Sequence, residues 1–463
     1  MNLKTFEGPY LKDEKSTKKV MHHLLIALLP IILFSVYKNG YIPYQKGYTD
    51  LINLFFPLIF ILIAMITAFL TELIYYKIKK ENKLKDSFPI ITGLFVALVL
   101  PINTPIFILM FGVIVAIIVG KLIFGGFGHN LFNPALIGVM FVVALFSVNI
   151  VNNGGYLNLY EIDTIASATP LSHQLTEIGS YDQLVKPYGS LFNFFFGTIP
   201  GSVGETSALL ILLAFCYLTW KRVIKWRIPV VYITTVFIIT FLIANINNVG
   251  PWYAFFHILS GGLLFGAVFM ATDPVTSPVT IIGQVLFGLF LGILTVLFRF
   301  LSPYPEGVLT SILTMNLFVF ILDKIGNKAR FNFSHATVSF IVSWILIVGV
   351  SFVVAASFTT EKKDESFQII NKEVSEKTTI YLVEQRGFAG MIRAEITIED
   401  EKIILIKVIS HNESYYQKIE DENFIEKLIE DDSVDAITGA TITSNSLKNM
   451  VKNVWEDFYE SKN

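Results

Sequence analysis

Two short segments of the chain share an acidic residue followed six positions later by a threonine. The first runs from Asp163 to Thr169 and the second from Asp435 to Thr441, and both read Asp-x-Ile-x-x-Ala-Thr. An amphipathic run follows the second segment, so Thr441 is predicted to lie at a helix N-terminus, where free backbone N–H groups and the helix dipole favour a phosphate. Gly439 allows a bulky group to approach the backbone closely. The alternative for either motif is an ordinary Ser/Thr helix cap.

A third polar segment, Gly201–Ser207, precedes an apolar run. Ser202 and Glu205 have the spacing of a capping box, in which each side chain binds a backbone N–H of the other residue. With Gly204 between them, they are predicted to help start the helix that follows.

The composition shows what kind of protein must position these residues. Of 463 residues, 53% are hydrophobic and only 16% are charged, whereas soluble domains carry about 25% charged residues. A single cysteine, Cys216, excludes an internal disulfide and a cysteine-ligated zinc or iron–sulfur site within the chain. Residues 359–463 hold 13 Lys and Arg against 22 Asp and Glu, a net charge of −9, although the whole chain carries −2. A membrane protein with an acidic soluble domain is predicted, and no basic domain for nucleic acid is present.

Apolar runs of near-spanning length predict about ten membrane helices plus one anchor. Basic residues cluster in the N-terminal arm and after the second, sixth and tenth spans, which predicts a cytoplasmic N-terminus. The loop 153–206 and the C-terminal domain then lie on the outer face of a bacterial plasma membrane. The predicted spans are 21–38, 51–76, 89–101, 104–124, 135–152, 207–220, 228–247, 255–271, 280–302, 307–323 and 338–358.

These spans define the predicted fold class and domains. The fold is an α-helical polytopic membrane protein with a C-terminal α+β extracytoplasmic domain. Strand-like runs at Ile380–Val383 and Ile392–Ile409 precede helical runs in that domain. The predicted domains are a cytoplasmic arm 1–20, a ten-span domain 21–323, a cytoplasmic linker 324–337, an anchor 338–358 and an outer domain 359–463.

The third and eighth predicted spans share a Gly/Pro pattern. Gly93, Pro101 and Pro105 recur 173 residues later as Gly266, Pro274 and Pro278. Five spans per unit would insert the two halves in opposite orientation, and broken helices in inverted repeats build midplane sites in transporters. The alternative is coincidence, because Gly and Pro are frequent in membrane helices.

The threonine motifs carry a resemblance to a known family. The segment Asp435 to Thr441, with Thr438, Gly439 and Ala440 between, matches the flavinylation signature Asp-x-x-[Ser/Thr]-Gly-Ala-Thr of the Rnf and sodium-pumping NADH:quinone reductase complexes. The resemblance implies that a flavin transferase esterifies FMN onto Thr441 through its phosphate. The segment Asp163 to Thr169 matches less well, since it has Ala and Ser where the signature has Ser/Thr and Gly; it implies a second FMN on Thr169.

The rest of the chain extends this resemblance. Residues 8–323 are similar to the Rnf complex D subunit, notably at Asn130–Ala135, Gly201–Ser207 and Ala271–Pro274. Residues 338–463 resemble the G subunit, one anchor followed by an FMN-binding domain, through Gly387–Gly390 and His411–Ser414. The chain departs from that family after Ser414, where Tyr-Tyr-Gln replaces Pro-Gly. The resemblance also places Ser202, Gly204 and Glu205 in a flavin pocket beside Thr169.

The resemblance implies a membrane subunit of an Rnf-like, ferredoxin- and NAD-linked translocase that is not catalytic alone. Covalent FMN would pass electrons while Na⁺ or H⁺ is moved, riboflavin is a further possible cofactor, and partners would include iron–sulfur subunits. Two alternatives remain open at this point: a solute channel or secondary transporter with an accessory outer domain, and a structural anchor for other subunits. The transporter explains the repeat but not the complete motif at Thr441, and the anchor explains neither threonine motif.

Overall fold

The fold is taken from a computed structural model. It describes residues 17–81, 83–157, 170–171, 181–301, 307–331, 346–354, 367–375, 378–387, 390–399, 402–411, 416–421, 423–430 and 441–460. The chain divides into two compact units, a helical unit of residues up to 359 and a second unit formed mainly by residues 360–463.

The first half of the helical unit contains five main helices. Helix α1 spans Thr17–Val36 and continues through a π-helical turn, Tyr37–Tyr41, and a short helix, Ile42–Gln45. A helical turn at Leu51–Leu54 precedes α2, Phe56–Lys79. Helices α3, Pro89–Val99, and α4, Ile106–Ile117, follow, and α4 is extended by the π-helical turn Ile118–Leu122. Helix α5 spans Pro134–Asn152.

The second half begins with short helical segments at Tyr181–Leu184, Lys186–Tyr188 and Leu191–Phe196. Helices α6, Ala208–Trp220, and α7, Arg227–Ile246, follow. Helix α8, Trp252–Leu259, is followed by α9, Leu263–Phe265, which continues through the π-helical turn Gly266–Met270. Helices α10, Ile281–Leu301, and α11, Val308–Phe331, end the unit, and residues 346–354 are helical.

Among the described residues, six helices are long and apolar enough to cross a membrane. They become seven if α8 and α9, which meet at 65°, are counted as one broken span. Helices α3, α4 with its extension, and α6 are apolar but shorter. The protein is therefore a helical membrane protein with several spans, and the ten spans predicted for this unit, which include these shorter helices, are not confirmed.

The short helices end where the sequence contains backbone-breaking residues. Helix α3 begins at Pro89 and stops before Pro101, because proline cannot donate a helical hydrogen bond. Close packing elsewhere depends on glycine: a Cβ on Gly138 of α5 would lie 2.3 Å from the carbonyl oxygen of Gly112 of α4. These two helices therefore approach backbone to backbone, as small residues allow in membranes.

The second unit contains a four-stranded antiparallel sheet in the order β1-β2-β3-β4. Its strands are β1, Gln368–Val374; β2, Thr378–Arg386; β3, Met391–Glu399; and β4, Lys402–Ser410. The predicted continuous run 392–409 is thus two strands of a hairpin, paired Ile396 to Ile406. Three helices follow: α12, Tyr416–Asp421; α13, Phe424–Glu430; and α14, Thr441–Glu460.

The core of this unit lies between one face of the sheet and α14. Alternate residues of β3 are buried, as the two-residue period of a strand requires. Helix α14 contributes residues at positions i, i+3, i+4 and i+7, which lie on one face of a helix. The buried residues in these two elements are Ile392, Ala394, Ile396, Ile398, Leu447, Met450, Val451 and Val454.

Candidate functional site

Several predicted site residues fall outside the described part of the chain. These are Asp163, Thr169, Asp435, Thr438, Gly439 and Ala440. Thr441 is the first residue of α14, as the amphipathic pattern predicts. Ser202, Gly204 and Glu205 are all described.

The first two turns of α14 are packed into the second unit. Thr443, Ser444 and Ser446, in the first two turns, are buried, and the core residue Leu447 follows them. The helix is also fixed at its far end, where Asp457 accepts hydrogen bonds from Lys372 Nζ at 2.5 Å and from the Tyr381 hydroxyl at 3.0 Å. Helix α14, which begins at Thr441, therefore packs against the rest of the second unit near both of its ends.

The contact at Asp457 joins the last turns of α14 to β1 and β2. Burial lowers the pKa of Lys372, but its hydrogen bonds with Asp457 and Tyr381 outweigh burial and raise this pKa above its ordinary value. A lysine whose pKa is raised in the folded state stabilises the fold at pH values below its unfolded-state pKa. This stabilisation is lost as the pH rises through the folded-state pKa. The contribution of Lys372 is therefore present at neutral pH and is lost as the pH rises through its folded-state pKa.

The segment that contains Ser202 and Glu205 has a different role from the predicted capping box. Helix α6 begins only at Ala208, and its N-cap is Ser207, whose hydroxyl accepts a hydrogen bond from Leu210 N. Ser202 Oγ instead donates to Glu205 Oε2 at 2.6 Å. The two side chains thus bind each other, and the N-cap of α6 is Ser207 and not Ser202.

The backbone of this segment binds the open end of α3. Val203 N donates to Leu100 O at 3.2 Å, and Gly204 N donates to Leu98 O at 2.8 Å. These carbonyls need a partner from outside, because the last carbonyls of a helix have none within it. A Cβ on Gly204 would lie 2.8 Å from the Leu98 side chain, so glycine is required for this approach.

The Glu205 carboxylate lies at the break between α8 and α9. A Cβ built on Gly262, the residue before α9, would be 2.7 Å from Glu205 Oε1. A carboxylate at a helix N-terminus is favourable because it faces free N–H groups and the positive end of the dipole. Ser202, Glu205 and Gly261 also line a small cavity of about 10 Å³ at this point.

Arg299 of α10 occupies the other end of the same break. Its Nη1 donates to His257 O at 2.6 Å and its Nη2 to Ser260 O at 3.3 Å, at the C-terminus of α8. A cation there offsets the negative end of the helix dipole. The broken span is therefore stabilised by a cation at its carbonyl end and a carboxylate at its N–H end.

The contact between Glu205 and Gly262 leads to a testable prediction. Gly262→Ala is expected to displace the Glu205 carboxylate and lower stability by about 1–3 kcal/mol, as overpacking does. The measurement is the thermal unfolding of the detergent-solubilised protein. Gly349→Ala is the matched control, because a Cβ there meets nothing within 4 Å; equal unfolding of the two variants would contradict the placement of Glu205.

A cleft with a cavity volume of about 80 Å³ lies between the two halves of the helical unit. Asn133 connects the halves beside it: its N–H donates to Asn316 Oδ1 at 3.1 Å, and its side chain caps α5 by accepting from Ala135 N and Leu136 N. Asn316 Nδ2 in turn donates to Thr276 O at 3.0 Å. Aromatic rings and polar side chains line the cleft, including Phe88, Phe95, Phe127, Phe269, Asn130 and Asp273.

A buried ion pair joins α2 to the π-helical extension of α4. Lys121 Nζ lies 2.6 Å from Glu72 Oε1, and the two side chains are 2% and 0% exposed. Lys121 Nζ also donates to Ser87 O and lies 5.6 Å from the centre of the Phe127 ring. This pair was not predicted from the sequence; the available signal was that each partner is a charged residue within an apolar helix.

Comparison with known proteins decides the family. Residues 4–332, more than half of the chain, match the model of the NQR2, RnfD, RnfE family. The chain belongs to this family. Residues 387–456 of this NQR2/RnfD/RnfE family member match an FMN-binding domain, and that range includes β3, β4 and the start of α14.

Individual relatives agree with this membership. The chain is 35% identical to the D subunit of the proton-translocating ferredoxin:NAD(+) oxidoreductase complex of Clostridium ljungdahlii, over 70% of this chain and 94% of the relative. It is 33% identical to the D subunit of the Na(+)-translocating ferredoxin:NAD(+) oxidoreductase complex of Acetobacterium woodii, over 70% and 93%. It is 34% identical to the B subunit of the Na(+)-translocating NADH-quinone reductase of Chromohalobacter salexigens, over 56% and 62%.

Proposed function

We propose that this chain is a membrane subunit of an ion-translocating ferredoxin:NAD⁺ oxidoreductase complex and carries electrons through FMN. One observation carries the proposal: a membrane unit of the NQR2/RnfD/RnfE family and an FMN-binding domain occur in one polypeptide. The named relatives cover most of the first unit and are subunits of such complexes. Other subunits, including iron–sulfur proteins, would supply the sites for ferredoxin and NAD⁺.

The experiment for this proposal uses inverted membrane vesicles that contain the intact complex. Reduced ferredoxin should drive NAD⁺ reduction together with uptake of Na⁺ or H⁺, and deletion of this chain should abolish both. Parallel assays with a sodium ionophore and a protonophore identify the ion. Unchanged activity in the deletion strain would contradict the proposal.

The proposed cofactor sites are Thr441 and Thr169, each esterified by a flavin transferase to the phosphate of FMN. FMN supplies reversible electron transfer; the protein supplies its attachment and surroundings. Support comes from the start of α14 at Thr441, where a helix N-terminus is suited to a phosphate. Asp435, Thr438, Gly439 and Ala440 would form the transferase recognition segment at one site and Asp163 at the other.

The segment Ser202–Glu205 is proposed to support the flavin on Thr169. Its contacts also support the proposed inverted repeat. It binds the C-terminal end of α3 through Val203 and Gly204 and the N-terminal end of α9 through Glu205. Helices α3 and α9 occupy equivalent places in the two halves. If the halves insert in opposite orientation, the C-terminal end of α3 and the N-terminal end of α9 lie on the same side, where one segment can bind both.

The proposed topology has ten spans in the first unit, one anchor, a cytoplasmic N-terminus and an outer C-terminal domain. Reporter fusions at Lys83, Lys225 and Lys328 are expected to be cytoplasmic, because basic loops stay inside. Fusions at Asp182 and Asn463 are expected to be external. A cytoplasmic Asn463 would show that the chain crosses the membrane an even number of times and not the eleven times proposed.

The cleft beside Asn133 is the proposed site for noncovalent riboflavin. Its aromatic lining suits a flat ring. Ile91→Trp, which points a large ring into the cleft, is expected to remove the flavin that denaturation releases and to leave covalent flavin intact. Ile90→Trp is the control, because Ile90 is absent from the lining and 38% exposed; equal release from both variants would contradict the assignment.

A further inference from the structure

The loop between α6 and α7 contains two exposed tryptophans. Helix α6 ends at Trp220, and α7 begins at Arg227, directly after Trp226. The two tryptophans are 75% and 47% exposed. Tryptophans at the ends of membrane helices lie at the level of the lipid headgroups, because the indole ring has an apolar body and a polar N–H. This loop is therefore expected to lie at the boundary between membrane and water.

Each of the two indole rings is paired with the cation that follows it in the chain. Lys221 Nζ lies 4.4 Å from the centre of the Trp220 ring, and Arg227 Cζ lies 5.2 Å from the centre of the Trp226 ring. A cation near the face of an indole ring is attracted by its π-electrons. Arg222, in the same loop, is also exposed. Three cations therefore accompany the two rings.

Hydrogen bonds fix the position of this loop. Val223 N donates to Leu218 O at 2.8 Å, which satisfies one of the last carbonyls of α6. Lys225 is the fourth cation of the loop and binds within the protein: its Nζ donates to Pro278 O at 3.0 Å and to Ser277 Oγ at 3.1 Å. The other three cations are thus carried by a loop that is tied to the protein at both of these points.

The positive charge of the loop is not compensated nearby in the chain. Residues 206–272 contain no Asp or Glu. Among the described residues, Lys221, Arg222 and Arg227 take part in none of the ion pairs. The three cations are therefore available to an anion from outside the chain.

The basic loop between α2 and α3 differs in this respect. Lys83 Nζ lies 2.8 Å from Glu81 Oε2, and Asp86 Oδ1 lies 3.2 Å from Lys18 Nζ. That loop therefore supplies its own acidic partners, and residues 77–88 contain no tryptophan. It provides a matched comparison of similar charge and similar position in the chain.

We propose that the α6–α7 loop, residues 220–227, binds the headgroup of an anionic phospholipid. Lys221, Arg222 and Arg227 donate to the phosphate oxygens, and the indole rings pack against the glycerol and the first methylenes of the acyl chains. Basic residues beside a membrane helix attract anionic lipids, and the exposed tryptophans favour a lipid over an acidic protein surface. This inference is independent of the proposed flavin attachment and of the ion that is moved.

The test uses the full chain in mild detergent and counts bound lipids by native mass spectrometry. Phosphatidylglycerol is expected to bind more tightly than phosphatidylcholine. Lys221→Gln/Arg222→Gln is expected to weaken phosphatidylglycerol binding about thirtyfold, or about fivefold for each charge, and to leave phosphatidylcholine binding unchanged. Inorganic phosphate is expected not to displace the lipid, because it lacks the apolar contacts with the indole rings.

Two control variants distinguish the loop from net charge and from misfolding. Lys221→Arg/Arg222→Lys keeps both charges and is expected to retain the preference for phosphatidylglycerol. Lys79→Gln/Lys83→Gln removes two charges from the α2–α3 loop and is expected to leave the preference unchanged. An equal loss in this control would show that binding follows net charge alone. That result, displacement by inorganic phosphate, or a wild-type chain without lipid preference would overturn the inference; in the last case an acidic partner protein would be the better candidate.

Discussion

Thr441→Ala is expected to abolish covalent flavin in the C-terminal domain and to leave the flavin on Thr169 in place. The physical reason is that the proposed phosphoester would form on the Thr441 hydroxyl, and the next hydroxyls along α14 are not accessible. These belong to Thr443 and Ser444, which are buried at 3% and 0% exposure. A transferase that needs an accessible hydroxyl cannot use them as substitutes.

The measurement is in-gel flavin fluorescence of the denatured chain together with mass spectrometry of both threonine peptides. Thr443→Ala is the matched control, since it removes a hydroxyl from the same turn and should retain the FMN on Thr441. Thr169→Ala should give the reciprocal pattern. FMN on the C-terminal peptide of Thr441→Ala, or its absence from the wild-type peptide in cells that express the transferase, would refute the assignment.

The start of α14 illustrates what a local sequence pattern can predict. The apolar spacing from Leu447 to Trp455 indicates an amphipathic helix, and the helix begins at Thr441. This prediction succeeds because the helix period and the position of its start depend on neighbouring residues. In the same way, the apolar runs give the helices of the first unit, although α3, α4 and α6 are shorter than the other spans.

The role of Glu205 could not be predicted from local spacing. Ser-x-x-Glu before an apolar run indicates a capping box, but α6 starts after Ser207. Glu205 instead faces Gly262, a residue 57 positions away, at a break formed by tertiary packing. The strand run 392–409 failed for another reason: the four consecutive charged residues Glu399, Asp400, Glu401 and Lys402 interrupt the apolar pattern between β3 and β4, and this local turn signal was overlooked.

The two ends of the broken span show how a membrane protein satisfies backbone groups without water. Unpaired N–H and C=O groups are costly in a bilayer, so a broken helix needs partners from other elements. Arg299 supplies donors for the carbonyl end, and Glu205 lies at the N–H end. The segment that contains Glu205 also binds the C-terminal end of α3. The same segment therefore contacts both α3 and the break between α8 and α9.

Breaking the buried pair of Glu72 and Lys121 is expected to have the largest effect on stability. Glu72→Gln leaves the Lys121 ammonium, 2% exposed, without its counter-charge. Removal of one partner of a buried ion pair costs about 3–5 kcal/mol. The Ser87 carbonyl and the Phe127 ring remain beside Lys121 but carry no full negative charge, and the Asp273 carboxylate interacts with it more weakly than Glu72 does. The measurement is reversible unfolding in mixed detergent micelles.

The double variant Glu72→Leu/Lys121→Met distinguishes the cost of an unpaired buried charge from the net contribution of the ion pair to stability. Apolar residues of similar size remove both charges at once, and such replacements of buried pairs are often neutral or stabilising. The double variant is therefore expected to be more stable than either single change. Lys186→Met is the exposed control: its partner Asp182 is 3.1 Å away, but both side chains are more than two thirds exposed, so the change should be within about 1 kcal/mol. Equal losses of stability in Glu72→Gln and Lys186→Met would show that the Glu72–Lys121 pair is not shielded from water. The contact between its two helices would then have to be explained by other interactions.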